Sequence, residues 1–353
     1  MSGSSLDGLD IAYCEIITGS RFQFKIIAAD TIAFNESEQL KLRNIVPDIF
    51  NDYKYEHQFF AELSAKAVNI FLGDNNLSKP DIIASHGHTV YHFPAQGKTC
   101  QIGDGQLLAD LTGCKVINNF RQADIDAGGQ GAPLVPICDK LFFSDYHACL
   151  NIGGISNISF ETKNGRIGFD ICGANQLLNY IASTVGLEYD ENGELAEAGK
   201  IDTDLLEALN SSSYFEMPYP KSLDNHFVRK YFIDRIAACD IPVNDKLATG
   251  TAHIAQQIAA VINKHKAEIN SDYKLLVTGG GAFNGFLIKS IEEAAQIKIN
   301  LPATEIIQFK ESLAMSFMGA LRLLNQPNFL PSVTGATVAV SGGEIFLPNT
   351  KRI

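Results

Sequence analysis

The sequence predicts an α/β protein of two domains, and three observations carry that reading. The chain has 353 residues with 46% hydrophobic content, enough for two cores at roughly 100–200 residues per domain. Short β-rich runs alternate with helically spaced segments from one end to the other. Each half also contains a strand, glycine-rich turn, strand pattern, the only internal similarity.

The elements follow in order. LDIAYCEI from Leu9, a polar GSR, then FQFKIIAADTIAF read as a β-hairpin. Residues 36–72 carry helical spacing, with Leu40, Ile45 and Ile49 and then Phe59, Leu63, Ala67 and Phe71. After Pro80, DIIASHGHTVYHF reads as a buried strand with a His-rich end, Gly103 to Thr112 as a helix, and CKVINN as another strand. The Gly and Pro density of 120–136 predicts a loop at the domain crossing, followed by a helix around 137–145. ACLNIGGISNISF and GRIGFD repeat the strand, turn, strand pattern, 174–266 is mostly helical, KLLVTGGGAFNGFLIKSIEEA is strand, glycine turn, helix, and Glu311 to Leu324 is an apolar helix.

Charge narrows the function. A net charge of −12, with no local basic patch, repels phosphate backbones and anionic lipid, which argues against nucleic-acid and membrane-surface partners. No apolar run reaches the ~18–20 residues of a spanning helix, and the N-terminus opens on Ser-Gly-Ser-Ser in place of a basic-then-apolar leader, so a cytoplasmic location is expected. Seven cysteines stand singly at 14, 100, 114, 138, 149, 172 and 239, which suits reduced thiols better than disulfides or a zinc knuckle.

Three loops rich in Gly, Ser and Asn follow or join strands: SGSSLDG (2–8), NIGGISN (151–157) and TGGGAFN (278–284). Glycines let backbone N–H groups approach anionic oxygens, so such turns can hold phosphates. A Walker A lysine and a GxGxxG opening a βαβ unit are both absent from the sequence. One early hairpin loop, a second in the latter half and then a strand, GGG, helix turn is the arrangement of the actin, sugar-kinase and heat-shock ATPase superfamily. The chain resembles the anhydro-N-acetylmuramic acid kinases nearly end to end, through SGSSLDGLD (2–10), SHGHTVYH (85–92), QIGDGQLLA (101–109), NFRQADIDAGGQGAPLVP (119–136), NIGGISN, GFDICGAN (168–175), TGGGAFN and LPSVTGA (330–336).

That resemblance implies an α/β, two-domain actin-like ATPase (ribonuclease H-like) fold with mixed sheets and a cleft, domain I being 1–118 completed by 320–353 and domain II 119–319. It implies ATP with Mg²⁺ as cofactors, an amino sugar as partner, and no resident metal site; a homodimer stays open. The reaction would phosphorylate O6 of 1,6-anhydro-N-acetylmuramic acid while water opens the anhydro ring at C1, yielding N-acetylmuramic acid 6-phosphate in peptidoglycan recycling. Such chemistry needs a carboxylate base, dipoles around the phosphoryl oxygens and a bridging cation.

Residue by residue, the resemblance maps the base onto Asp170, whose alternative as a strand-end carboxylate is a helix N-cap. Cofactor contacts map onto Gly3, Ser4, Ser5, Leu6, Asp7, Gly8, Leu9 and Asp10, onto Gly153, Gly154 and Asn157, and onto Gly279, Gly280, Gly281 and Asn284. Substrate contacts map onto His86, Thr89, Arg121, Asp124, Gln130 and Glu311. For Asp124 a sugar-hydroxyl contact and a loop-fixing hydrogen bond stand equal. Arg121 would pair with the lactyl carboxylate or a phosphate, its alternative being a surface ion pair. Glu311 is also a helix-dipole partner. His86 and His88 would share a face if both lie in a strand, with His92 beyond; a zinc reading lacks an acidic or Cys ligand at a familiar spacing.

The sequence departs from the family pattern at Ser4 (usually Thr), His88 (Gln), Asn119 (Asp) and Ile171-Cys172-Gly173-Ala174 (Thr-Gly-Pro-Gly). Family members also carry a strand ahead of the SGSSLDG turn, whereas here Met1 is the Met of that motif. The slot for that strand is expected to be empty and wet, filled by another segment, or accompanied by a disordered N-terminal turn. A non-catalytic sugar- or muropeptide-binding pseudokinase and a kinase for another amino sugar are the rival readings.

Overall fold

A computed structural model describes residues 1–2, 6–269 and 272–349. The chain divides into two compact units, Met1–Phe142 with Phe309–Ile353, and Phe143–Gln308. The expected boundaries at 118/119 and 319/320 are therefore displaced: residues 119–142 and 309–319 lie with the first unit. The reason is local packing. Phe120 and Ile125 are buried, Asn328 bonds the carbonyls of Met318 and Gly342, and Asp124 bonds Thr334, so the 120–136 segment and the C-terminal segment stabilise one another.

In the first unit, strands β1 (Gly8–Ile17) and β2 (Gln23–Ala33) form the expected antiparallel hairpin, with a bulge between Tyr13 and Cys14. The DIIASHGHTVYHF run is two strands in two sheets. β3 (Ile83–Ala84) lies parallel to β6 (Val116–Asn118), which also pairs antiparallel with β11 (Glu344–Phe346); β4 (His88–Phe93) pairs antiparallel with β5 (Lys98–Ile102). The break falls at Gly87, whose φ of +75° is left-handed and where a Cβ would stand 2.5 Å from the Ile102 carbonyl. Only glycine meets both conditions. His86 and His88 consequently do not share a strand face.

The helix Lys54–Asp74 buries Phe60, Leu63, Ala67 and Phe71 at three- and four-residue spacing, the stripe that its sequence predicts apart from Phe60 replacing Phe59. The preceding helix Glu36–Arg43 starts on a capping box, Asn35 accepting from the Glu38 amide while Glu38 accepts from the Asn35 amide. Within 120–136 the expected loop contains a helical segment, Phe120–Asp126. The last long helix, Thr304–Leu323, begins earlier than expected and is interrupted at Phe309, the residue at which the first unit resumes.

Among the described residues the backbone edge of β1 away from β2 is paired with Met1 alone, through Asp10 N to Met1 O at 2.8 Å and the Met1 ammonium to Asp10 O at 2.7 Å. Beyond it a cavity of about 260 Å³ separates β1 from the 80–85 segment, floored by Val68, Phe71 and Met315. The turn at residues 3–5 lies outside the described residues.

In the second unit, β7 (Ala148–Ile152), β8 (Ile155–Thr162), β9 (Gly165–Gly173) and β10 (Leu275–Thr278) make one mixed sheet in the order β10-β7-β8-β9. β10 runs parallel to β7 and the other pairs are antiparallel. The helix Val243–Lys266 buries Leu247, Ile254, Ile258 and Ile262, and these join Ile158, Phe169, Leu177 and Ile291 in the unit's core. Each such side chain contributes about 1.5–3 kcal/mol by leaving water. The α/β class with mixed sheets is thus observed in both units.

Candidate functional site

In the second unit, the NIGG and TGGG turns lie side by side because both leave adjacent strands. Gly279 has a φ of +84°, and a Cβ there would meet Asn151 Oδ1 at 2.6 Å and the Ile152 carbonyl at 2.7 Å. Asn175 braces the NIGG turn, its Nδ2 donating to Ile152 O at 3.2 Å and its amide to Gly153 O at 3.0 Å. The carbonyl of Gly154 takes the amides of Ala174 and Gln176. The two carbonyls are spent on the start of the helix Asn175–Ser183; among the described residues the Gly153 and Gly154 amides have no protein acceptor. Amides left so beside a glycine surface suit anionic oxygens.

Asp170 lies opposite Asn157 on the β8–β9 ladder. Its strand continues to Gly173 and the next helix is preceded by Ala174 without a side-chain cap, so the N-cap alternative does not apply. A segment running along the free edge of β9 holds it. Tyr214 Oη donates to the Asp170 carbonyl at 2.7 Å, the Asp170 amide to Lys221 O at 3.2 Å, and the Leu223 amide to Asp170 Oδ2 at 2.8 Å. Among the described residues Oδ1 has no partner. Burial raises the carboxyl pKa above its ordinary value, opposed by the Leu223 hydrogen bond, as suits a group that must take up a proton.

In the first unit a second set of groups gathers around Arg121. Its Nε and Nη2 donate to His86 Nε2 at 3.1 and 2.8 Å and its Nη1 to Gly131 O at 2.7 Å. Three of the five guanidinium donors are engaged and two remain for a ligand. Burial, followed by the charges of Arg121 and the N-terminus, pushes the His86 pKa down to about 3, so its imidazole is neutral and Nδ1 faces the Gly87 carbonyl at 3.1 Å. Glu311 keeps its side chain open to solvent while set deep among surrounding atoms. Desolvation raises its carboxyl, with the N-terminal ammonium opposing and Asp10 adding. Asp10 accepts from Thr31 Oγ1 through Oδ1 at 2.6 Å, and Ser312 donates to its carbonyl.

The comparisons with known proteins bear on what these groups serve. The family model for anhydro-N-acetylmuramic acid kinase matches residues 1–348. The chain belongs to the anhydro-N-acetylmuramic acid kinase family. It is 35% identical to the Haemophilus influenzae anhydro-N-acetylmuramic acid kinase over 98% of this chain and 96% of that one, and 35% identical to the Pseudomonas syringae protein over 95% and 94%. Among solved structures, the activator of the 2-hydroxyisocaproyl-CoA dehydratase from Clostridium difficile with bound ADPNP matches 86% of this chain and 92% of its own, at 12% identity and a TM-score of 0.43. Membership makes this chain a sugar kinase, a phosphotransferase acting on an amino sugar. No helix among the described residues is long and apolar enough to cross a membrane.

Within this kinase the expected site residues divide by what their atoms already do. Gly3, Ser4 and Ser5 lie outside the described residues. Leu6 and Leu9 put their side chains into a core with Phe34 and Phe60, which leaves only backbone for a nucleotide. Asp7 O accepts from the Phe34 amide, and a Cβ at Gly8 would stand 2.7 Å from the Ile32 carbonyl. Asn284 spends Oδ1 on the Leu287 amide as a helix N-cap, which leaves its Nδ2 for the expected cofactor contact. Asp124 is fully buried, with Oδ2 taking the Gly131 amide at 2.7 Å and Oδ1 the Thr334 hydroxyl at 2.8 Å. Of its two readings the geometry meets the loop-fixing one. Gln130 holds Thr334 O through its amide and exposes its side chain, and Thr89 Oγ1 faces Gln101. Among the described residues Arg121 makes no surface ion pair; it is half-buried on His86. His88 reaches Ser2 Oγ and His92 reaches Thr99 Oγ1.

Sequence reasoning missed Tyr214, Lys221 and Leu223, which hold Asp170 from more than forty residues away. It also missed Asn175, though its place at the end of GFDICGAN was a signal.

Proposed function

We propose that this kinase, with the actin-like two-domain architecture of its superfamily, uses ATP to phosphorylate O6 of 1,6-anhydro-N-acetylmuramic acid as water opens the ring. Asp170 takes a proton from water as the water oxygen bonds to C1. The C1–O6 bond breaks, O6 bonds to the γ-phosphorus, and ADP leaves. Deprotonated Asp170 is regenerated by proton loss to solvent. The single observation that carries the reading is Asp170 itself: half-buried, raised in pKa, fixed by three hydrogen bonds, and left with Oδ1 free among the described residues.

The remaining groups fit the other parts of the chemistry. Unspent amides at Gly153 and Gly154 suit phosphoryl oxygens, and the two spare Arg121 donors suit the lactyl carboxylate. Mg²⁺ needs only one or two carboxylates besides the phosphates. Asp10 fits that donor set, since Thr31 occupies Oδ1 and leaves Oδ2. The ion would neutralise charge on the transferred phosphoryl group. A requirement for ATP agrees with a cytoplasmic setting, and the product with cell-wall recycling.

An assay of ADP release with 1,6-anhydro-N-acetylmuramic acid, with mass spectrometry of the product, tests this. The product should carry one phosphoryl group and one water more than the substrate. ATP-dependent thermal stabilisation without ADP release would instead identify a pseudokinase, and turnover only with another amino sugar would replace the substrate.

A further inference from the structure

Behind β9 the second unit contains a cavity of about 410 Å³, within the size range of small-molecule sites. Side chains alternate across a strand. Phe169 and Ile171 line this cavity while Asp170 between them does not. The walls are aromatic: Phe169 stacks on Tyr219 with centroids 5.0 Å apart, and Phe160 on His265 at 3.9 Å.

The charge in the lining is layered. Glu216, Lys264 and Glu268 are exposed, whereas Lys221 is half-buried. Its ammonium donates to the carbonyls of Tyr214 at 2.9 Å and Phe215 at 3.3 Å, leaving one of three donors, and among the described residues it has no carboxylate in ion-pair range. Burial and then the neighbouring Lys264 charge lower the Lys221 pKa, so an anion between the two would relieve their repulsion. The segment from Phe215 to Lys221 that walls the cavity is continuous with the Tyr214, Lys221 and Leu223 groups that hold Asp170.

We propose that this cavity binds a small organic acid with a flat apolar body, its carboxylate on Lys221, and that occupancy shifts the 214–223 segment and with it Asp170. The coupling to turnover rests on Asp170 being the catalytic base; the binding does not. A ligand moves such an equilibrium only through different affinities for the two arrangements, and contact with the holding segment itself supplies that difference.

Calorimetry on the whole chain with benzoate and with uncharged benzamide tests the site. Benzoate should bind saturably and at least about tenfold more tightly than benzamide. Lys221→Met should abolish the difference. Ala260→Trp, placed on the exposed lining of the helix Val243–Lys266, should fill the cavity and weaken benzoate by about tenfold or more with basal turnover kept. The chain contains no other tryptophan, so the indole's emission also reports its burial. Equal binding of the two probes, or benzoate binding unchanged in Ala260→Trp with the indole buried, overturns the site. Saturating benzoate should change kcat and move the acid limb of its pH profile; an unchanged kcat, or a rise in KM alone from competition at the sugar site, overturns the coupling. Should Asp170→Asn keep turnover, the base assignment fails while the calorimetric result stands.

Discussion

His86 accepts two hydrogen bonds from Arg121, from Nε at 3.1 Å and from Nη2 at 2.8 Å, through the single atom Nε2. The arrangement requires a neutral imidazole, since a protonated Nε2 would present a donor to a cation. The histidine thereby orients the guanidinium, and it does so only while uncharged.

This has a consequence for stability against pH. The His86 pKa in the folded state is about 3, below the ordinary histidine value of 6.5. The unfolded chain binds the extra proton first, so the contribution is present above pH ~6.5 and is lost as pH falls toward 3. Thermal unfolding of wild type against His86→Asn should show a smaller loss between pH 7 and 5 in the variant. His253, also lowered to about 3 by burial, is retained in both and cancels. Parallel curves would exclude the effect.

Asp170→Asn is expected to reduce kcat by about 10²–10⁴-fold, the usual contribution of a general base, with dissociation constants for ATP and sugar nearly unchanged. In the wild type, kcat should fall on acidification at a pH above the normal carboxylate range, because burial raises the Asp170 pKa and the base must be deprotonated. Near-wild-type turnover in Asp170→Asn would contradict the first statement, and a wild-type profile whose acid limb lies no higher than the ordinary carboxylate range the second.

The glycines of the TGGG turn should differ sharply. Gly279→Ala forces a side chain into a left-handed φ and within 2.7 Å of the Ile152 carbonyl, which should cost about 1–3 kcal/mol and weaken ATP binding. At Gly280 the nearest atom to a new Cβ is 3.5 Å away, so Gly280→Ala should leave the unfolding temperature within error. Equal behaviour of the two in denaturant titrations would remove the packing argument.

The cavity beside β1 predicts a gain of function in stability. A six-residue apolar strand fused ahead of Met1 continues the pairing that Met1 already makes with Asp10 and covers Val68, Phe71 and Met315. Each kcal/mol gained should raise Tm by about 2–4 °C for a domain of this size. A polar strand of equal length is the control; if both shift Tm alike, or neither does, the cavity does not accept a strand.

The α/β class, the two hairpins, the long helix Lys54–Asp74 and the kinase family were legible in the residues, because strand alternation, helical spacing and glycine turns are local properties of a chain. The NIGG and TGGG turns belong with them as turns, for a turn's backbone chemistry is written within a few residues, whereas Asp170 was singled out through the family resemblance and its role as base is the proposal above. The unit boundaries at 142/143 and 308/309, the division of 81–93 between two sheets, the loop-fixing role of Asp124 and the hold of Tyr214 and Leu223 on Asp170 were decided only by tertiary structure. Each depends on which distant acceptor a polar group finds once the core has packed: Asp124 reaches Thr334 across more than two hundred residues and Asp170 reaches Leu223 across fifty-three. Sequence states which groups must be satisfied, and only the folded chain states by whom.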